Sequence, residues 1–260
     1  MTGTHSWDPD RYLVYADERG RPFVELLTRI GARAPRTVVD LGCGPGNMTR
    51  LLGERWPDAA ILGLDTSPEM IQAARAAAPG IDFRVEDVRD WLPEEPVDVL
   101  FSHATLQWVP GHLELLPRLV EAVAPGGWFA FGVPGNLSEP THTIREELNA
   151  EPAYAALTAG VAAPAAVDAA SYWRLLTGLG CEVDAWSTTY LHELRGPDPV
   201  FAWISGTGAR PVLQALDAVP ELRASYEAEL KRRLRAAYPE RDGVVLMPFR
   251  REFVVARIPG

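Results

Sequence analysis

Between residues 36 and 135 the chain alternates short apolar runs with stretches whose apolar positions recur at helical spacing. The first run, Thr37-Val38-Val39-Asp40-Leu41, is strand-like. It enters a glycine-rich turn, Gly42-Cys43-Gly44-Pro45-Gly46-Asn47, and Met48, Leu51, Leu52 and Trp56 then repeat as one helix face. A second run, Ile61-Leu62-Gly63-Leu64, ends in Asp65. Ser67-Pro68 follows as an N-cap with proline in the first turn, Met70, Ile71 and Ala74 form a buried stripe, and Pro79-Gly80 stops the helix. Ile81 to Val85 and Val97 to Phe101 are the third and fourth strands. Leu113, Leu116, Leu119, Val120 and Val123 mark a helix carrying Pro117, and Gly126-Gly127 turns into a fifth strand, Trp128 to Val133. Strand–helix alternation of this kind predicts a parallel sheet with right-handed crossovers.

The flanks read differently. Residues 1–35 start a helix at Asp8-Pro9, with Tyr12, Tyr15, Arg19 and Phe23 at helical intervals. Two readings stand for it: a lid over the strand ends, or an amphipathic helix packed on the sheet. Residues 136–170, rich in alanine and proline, read as an inserted segment. Residues 171–196 give a short helix ended by Gly180 and a long strand, 197–240 are mainly helical, and 241–260 hold a final, antiparallel strand paired with the one before it. The fold class is therefore α/β: a Rossmann-like, seven-stranded, mostly parallel sheet with an antiparallel last strand and a helical cap made from the 136–170 and 197–240 insertions. The 36–135 segment is the ligand-binding core.

Composition narrows the function. The chain has 260 residues, 47% hydrophobic and 23% charged, enough for one large domain or one domain plus a cap. Its net charge of −10 disfavours non-specific nucleic-acid binding, so no nucleic-acid partner is expected. An anionic substrate would need a local cluster of Arg or His. The two cysteines, Cys43 and Cys181, have no zinc spacing and are not expected to form a disulfide, and no metal site is expected. A polar N-terminal stretch and the absence of a long apolar run point to a cytoplasmic protein without a membrane segment.

Three acids carry the chemistry. Gly42, Gly44 and Gly46 alternate strictly and miss the dinucleotide G-x-G-x-x-G spacing. Asp40 precedes them, where it would repel a pyrophosphate but suits a ligand with a cationic end. S-adenosylmethionine has an ammonium, a sulfonium and no phosphate. Asp65, about 20 residues beyond the glycine turn, stands where a carboxylate reads ribose hydroxyls. Asp87, after the third strand, can accept from an adenine amine. Individually each has a plainer reading: Asp40 as a turn former, Asp65 as a turn carboxylate before Ser67.

The set Asp40 to Gly46, Gly63-Leu64-Asp65, Glu86-Asp87-Val88 and Pro125-Gly126-Gly127 resembles the class I S-adenosylmethionine-dependent methyltransferases over about residues 35 to 135. At finer grain, Trp7-Asp8-Pro9, Glu18-Arg19, Leu106-Gln107-Trp108, Glu139-Pro140-Thr141-His142, Gly180 to Asp184, Thr188-Thr189-Tyr190, Thr207-Gly208 with Arg210-Pro211, and Phe253 to Arg257 resemble the trans-aconitate 2-methyltransferases. The resemblance implies S-adenosyl-L-methionine as cofactor and a small polycarboxylate as substrate. It implies cofactor contacts from Asp40, Gly42, Cys43, Gly44, Asn47, Asp65, Thr66, Met70, Asp87, Val88 and His103. In that reading the backbone of Gly42 and Gly44, with Asp40, holds the amino-acid end. Substrate contacts fall to Arg19, His142, Tyr190, His192, Arg210 and Arg251. Plainer roles stand beside these: His103 as a hydrogen-bonded strand end, Arg210 as a helix start, Arg251 as a strand-edge charge, Tyr190 as core.

A carboxylate acceptor is already ionised at neutral pH and needs no general base. Alignment and desolvation then supply the rate, and no catalytic residue is assigned. A hydroxyl acceptor would need a base, with His103 as first candidate. The rival functions are a methyltransferase for a malonyl thioester or a natural-product hydroxyl, an NAD-dependent oxidoreductase, and a non-catalytic binding module. The oligomeric state is not legible.

Overall fold

The computed structural model describes residues 16–260, with side chains from Gly20 onward. The start of the expected N-terminal helix, including Tyr12 and Tyr15, and the Trp7-Asp8-Pro9 stretch before it lie outside the described residues. In chain order the larger elements are α1 (Ala16–Arg29), β1 (Thr37–Leu41), α2 (Thr49–Arg55), β2 (Ala60–Asp65), α3 (Pro68–Ala77), β3 (Asp82–Val85), β4 (Val97–His103), α4 (His112–Glu121) and β5 (Val123–Pro134). They continue as α5 (Pro140–Ala150), α6 (Ala155–Thr158), α7 (Ala169–Gly178), β6 (Glu182–Leu194), α8 (Pro199–Ser205), α9 (Arg210–Ala215), α10 (Pro220–Ala237) and β7 (Val245–Arg257).

Seven strands form one sheet in the order β3-β2-β1-β4-β5-β7-β6. β1 pairs in parallel with β2 and β4, and β2 with β3, as does β4 with β5. β7 enters antiparallel to β5, with Phe131 opposite Val254, so the last strand lies between β5 and β6. The strand order reverses direction between β1 and β4, the switch point beside which open α/β sheets bind ligands.

Local sequence sets these elements. Ser67 Oγ accepts from the Met70 N–H at 3.2 Å and Pro68 opens α3. Met70, Ile71 and Ala74 are its buried stripe, as the spacing predicted. Asp168 caps α7, accepting from the Ser171 N–H at 2.8 Å. One boundary moves: Val123 ends no helix. α4 stops at Glu121, and Val123 pairs with Val97 as the start of β5. The register then jumps to Val99 opposite Trp128, so the Gly126-Gly127 turn is a bulge within the strand, with Gly126 at φ +78°. Pro117 lies inside α4.

The chain divides into two compact units. The larger comprises described residues to 135, with 165–188 and 251–260; the smaller comprises 136–164 and 189–250. Leu41, Leu100, Phe129, Phe131, Tyr172 and Val254 lie at the centre of the larger unit's core. Residues 165–170, expected within an insertion, group with the larger unit instead: Ala165 N–H donates to the Gln107 carbonyl at 2.8 Å. The smaller unit is mostly helical. Its α10 carries the expected charged face, with Lys231 paired to Glu227 and Arg232 and Arg233 to Glu229. Among the described residues no helix is long and apolar enough to cross a membrane.

Candidate active site

The turn after β1 is shaped by its glycines. Gly42 sits at φ +77°, and a Cβ there would meet Thr105 Oγ1 at 2.0 Å. Gly46 sits at φ +74°, where a Cβ would come within 2.8 Å of Ala74 Cβ. Gly44, at φ +55°, has nothing within 4 Å of its Cβ position. Two glycines therefore close the turn against its neighbours, and the middle one leaves an open cradle.

Two carboxylates flank that cradle. Asp40 is almost fully buried in β1 and accepts from Thr49 Oγ1 at 2.7 Å. Asp65 ends β2; its Oδ2 accepts from the Gly44 N–H at 3.0 Å and its Oδ1 from the Ser67 N–H at 2.9 Å. The turn-carboxylate role is thus real for Asp65 and coexists with its place beside the cradle. Burial, and then the Asp65 charge, push the Asp40 carboxyl up to about 7 against the pull of Thr49. Burial raises Asp65 as well, against its backbone hydrogen bonds. Burial and both acids also raise the Cys43 thiol, so it stays protonated. Like charges held this close in low dielectric favour a cationic ligand.

The Gly42 N–H is used within the turn, where Gly42 and Cys43 both donate to the Leu64 carbonyl, at 2.7 and 2.8 Å, so the Gly42 backbone group that could face an ammonium is its carbonyl. Asp87 lies past the end of β3 and is held by Arg89, whose Nη2 reaches Oδ2 at 2.6 Å; this hydrogen bond holds its carboxyl below the ordinary range. Val88 is buried, Asn47 half-buried, Thr66 exposed and Met70 buried in the α3 stripe.

β4 runs two residues beyond the expected Phe101, so His103 is its last residue. Its ring stands edge-on to Phe23, with centroids 5.8 Å apart, and its buried Nε2 makes no hydrogen bond to a described residue. Burial, reinforced by the Arg251 charge, holds its pKa well below 6.5. The imidazole is therefore neutral and a poor base. Arg251, on β7 opposite Pro134 of β5, is itself buried.

In the smaller unit His142 lies on α5, and its Nδ1 accepts from Arg145 Nη2 at 2.8 Å. Tyr190 and His192 stack in an aromatic group, His192 lying on Trp203 with centroids 4.5 Å apart. Arg210 is the first residue of α9. Arg19 is within α1, but its side chain is not among those described. The structure thus brings together Asp40, Cys43, Gly44 and Asp65, and separately His103 with Arg251. Thr49, Thr105 and Arg145 were missed in the sequence. Only Thr49 gave a signal, as a hydroxyl at the start of the helix after the turn.

A buried acid raised above its unfolded pKa holds an extra proton in the native state, so stability falls as pH rises through the folded pKa. The carboxyl of Asp40, moved from 3.8 to about 7, puts that window between about 4 and 7. Asp40→Asn keeps the acceptor for Thr49 and removes the titration. Thermal melts of ligand-free protein should show the variant close to wild type near pH 4, and increasingly more stable than wild type as pH rises to about 8. A difference that does not grow with pH would contradict the shift.

An acid-flanked glycine cradle at the switch point of such a sheet is the arrangement expected of a class I S-adenosylmethionine-dependent methyltransferase. A methyltransferase-domain profile matches residues 38–127. The chain is 50% identical to a trans-aconitate 2-methyltransferase of Rhodococcus jostii, over 97% of this chain and 99% of that protein. It is also 50% identical to one of Methylobacterium nodulans, over 96% and 98%. The chain belongs to the trans-aconitate 2-methyltransferase family. Solved structures of similar fold include a putative methyltransferase bound to the Trm112 activator of Haloferax volcanii, with TM-score 0.60 and 19% identity over 97% of this chain and 94% of that one. Another, a putative methyltransferase from Bacillus halodurans, has TM-score 0.59 and 11% identity over 92% and 100%.

Proposed function

We propose that this enzyme methylates a carboxylate of a small polycarboxylic acid, trans-aconitate, giving the monomethyl ester. The observation that carries the cofactor half of the reading is the Asp40–Asp65 pair beside the open Gly44 cradle. Bound there, S-adenosylmethionine supplies an electrophilic methyl group on a positive sulfur. Asp40 would face the cationic amino-acid end, Asp65 the ribose hydroxyls, and Asp87 with the Val88 N–H the adenine edge. The curated relatives' shared name supports the acceptor.

The chain's own contribution is binding, orientation and exclusion of water. A hydroxyl acceptor needs a base tuned near the operating pH, and His103 is pushed far from it. A carboxylate arrives ionised and makes no such demand. Neutral His103 beside the Arg251 guanidinium offers an anion a positive field without a competing proton transfer. Both Cys43 and Cys181 are free thiols, which supports a reducing, cytoplasmic setting.

A methyl-transfer screen with a radiolabelled methyl group tests this reading. Di- and tricarboxylates should accept label in a base-labile ester, with trans-aconitate giving the largest kcat/KM. Label appearing only on hydroxyl or thioester acceptors would overturn it.

A further inference from the structure

Within the smaller unit, α5 buries a charge that its hydrogen bonds do not neutralise. Arg145 is 7% exposed. Its Nε donates to the Thr141 carbonyl at 2.7 Å, Nη1 to the Gly208 carbonyl and Nη2 to His142 Nδ1 at 2.8 Å. None of these acceptors is a carboxylate. Burial lowers the Arg145 pKa, and the opposing influence of Tyr226 and the Glu146 carboxylate is smaller; a guanidinium taken out of water without a directly bonded carboxylate is costly, so its retention calls for a use.

The use follows from the tautomer. A guanidinium can only donate, so His142 Nδ1 must present its lone pair and the ring proton must sit on Nε2. A second proton is opposed: burial, and then the Arg145 charge, bring the His142 pKa down to about 3. His142 is itself 9% exposed, and Nε2 makes no hydrogen bond to a described residue. The pair is one turn apart on α5, a spacing that puts both side chains on one face. The result is a fixed, neutral N–H donor backed by a buried positive charge. A net charge of −10 works against any anion approaching the chain as a whole, and this pair offsets that locally.

We propose that Arg145 is a positioning residue for the anionic acceptor: it locks His142 as an Nε2–H donor to one of the acceptor's carboxylates and supplies the charge behind it. The proposal rests on the polycarboxylate reading above. It also changes the role of His142, expected from the family resemblance as a substrate contact, from a candidate cation to a neutral donor.

The test is nitrogen NMR on the whole chain with labelled histidine, His142 being assigned by its loss in His142→Gln. The ligand-free wild type should show one protonated nitrogen at Nε2, one unprotonated at Nδ1, and no titration between about pH 5 and 8. Adding trans-aconitate should shift the Nε2 signal. In kinetics, Arg145→Met should raise KM for trans-aconitate at least about tenfold with kcat within about threefold, and S-adenosylmethionine affinity should hold. Arg145→Lys, which keeps charge and donor, should recover most of the loss. In a His142→Gln background, where the donor needs no tautomer lock, Arg145→Met should cost less. A proton on Nδ1, or titration near the ordinary histidine value, overturns the proposal without any variant, so a misfolded Arg145→Met leaves the test intact. An Nε2 signal unmoved by trans-aconitate that is nonetheless methylated overturns this proposal alone. A protein that methylates no polycarboxylate overturns the functional reading together with it.

Discussion

Asp65→Asn should weaken S-adenosylmethionine binding by about ten- to a hundredfold. Hydrogen bonds to a charged group contribute about 1.5–3 kcal/mol each, and about 1.4 kcal/mol is a factor of ten in affinity. The substitution keeps the shape of the side chain and removes its charge. It also turns one acceptor into a donor opposite either the Gly44 or the Ser67 N–H, which now donate to the two oxygens. That mismatch should cost about 1 kcal/mol of stability, partly offset because Asp40 loses its repulsive neighbour. Calorimetric titration read beside thermal melts separates the two effects. A variant with lowered stability and unchanged affinity would leave Asp65 as a turn carboxylate only.

Gly42→Ala should be the most destabilising single change in the turn. The new Cβ would fall 2.0 Å from Thr105 Oγ1 and 2.3 Å from its Cγ2, on a backbone at φ +77°. Left-handed backbone costs an L-residue roughly 1–2 kcal/mol and overpacking roughly 1–3 kcal/mol more, so a total of about 2–5 kcal/mol is expected. Gly44→Ala carries only the backbone cost, since nothing lies within 4 Å of its Cβ position. It should fold, with a modest loss of stability, and bind S-adenosylmethionine poorly because the methyl enters the cradle. Urea denaturation of both variants checks the ordering. Equal losses would mean that Thr105 yields easily and that the turn is not closed in the way described.

The sheet was legible because its strands are short apolar runs ended by acids or glycines, and its helices are stripes such as Met70, Ile71 and Ala74. Val123 misled because an apolar residue continues a helical stripe as readily as it starts a strand; only pairing with Val97 decides. The acids at the strand ends could be read from spacing, but their partners could not. Thr49, Thr105 and Arg145 act through contacts made in space: a hydroxyl on Asp40, a hydroxyl against Gly42, a guanidinium on a histidine one turn away. The protonation of His103 was equally hidden, because it depends on burial and on Arg251, distant in sequence.

The central claim is that acids at the ends of β1 and β2 select a phosphate-free, cationic nucleoside. Calorimetric titration of the wild-type chain with S-adenosylmethionine and with NADH, repeated across pH, tests it most directly. S-adenosylmethionine should bind, NADH should not, and affinity should strengthen as pH rises through about 7 while Asp40 gives up its proton. Binding of NADH, or an S-adenosylmethionine affinity that is absent or indifferent to pH across that range, would contradict the account.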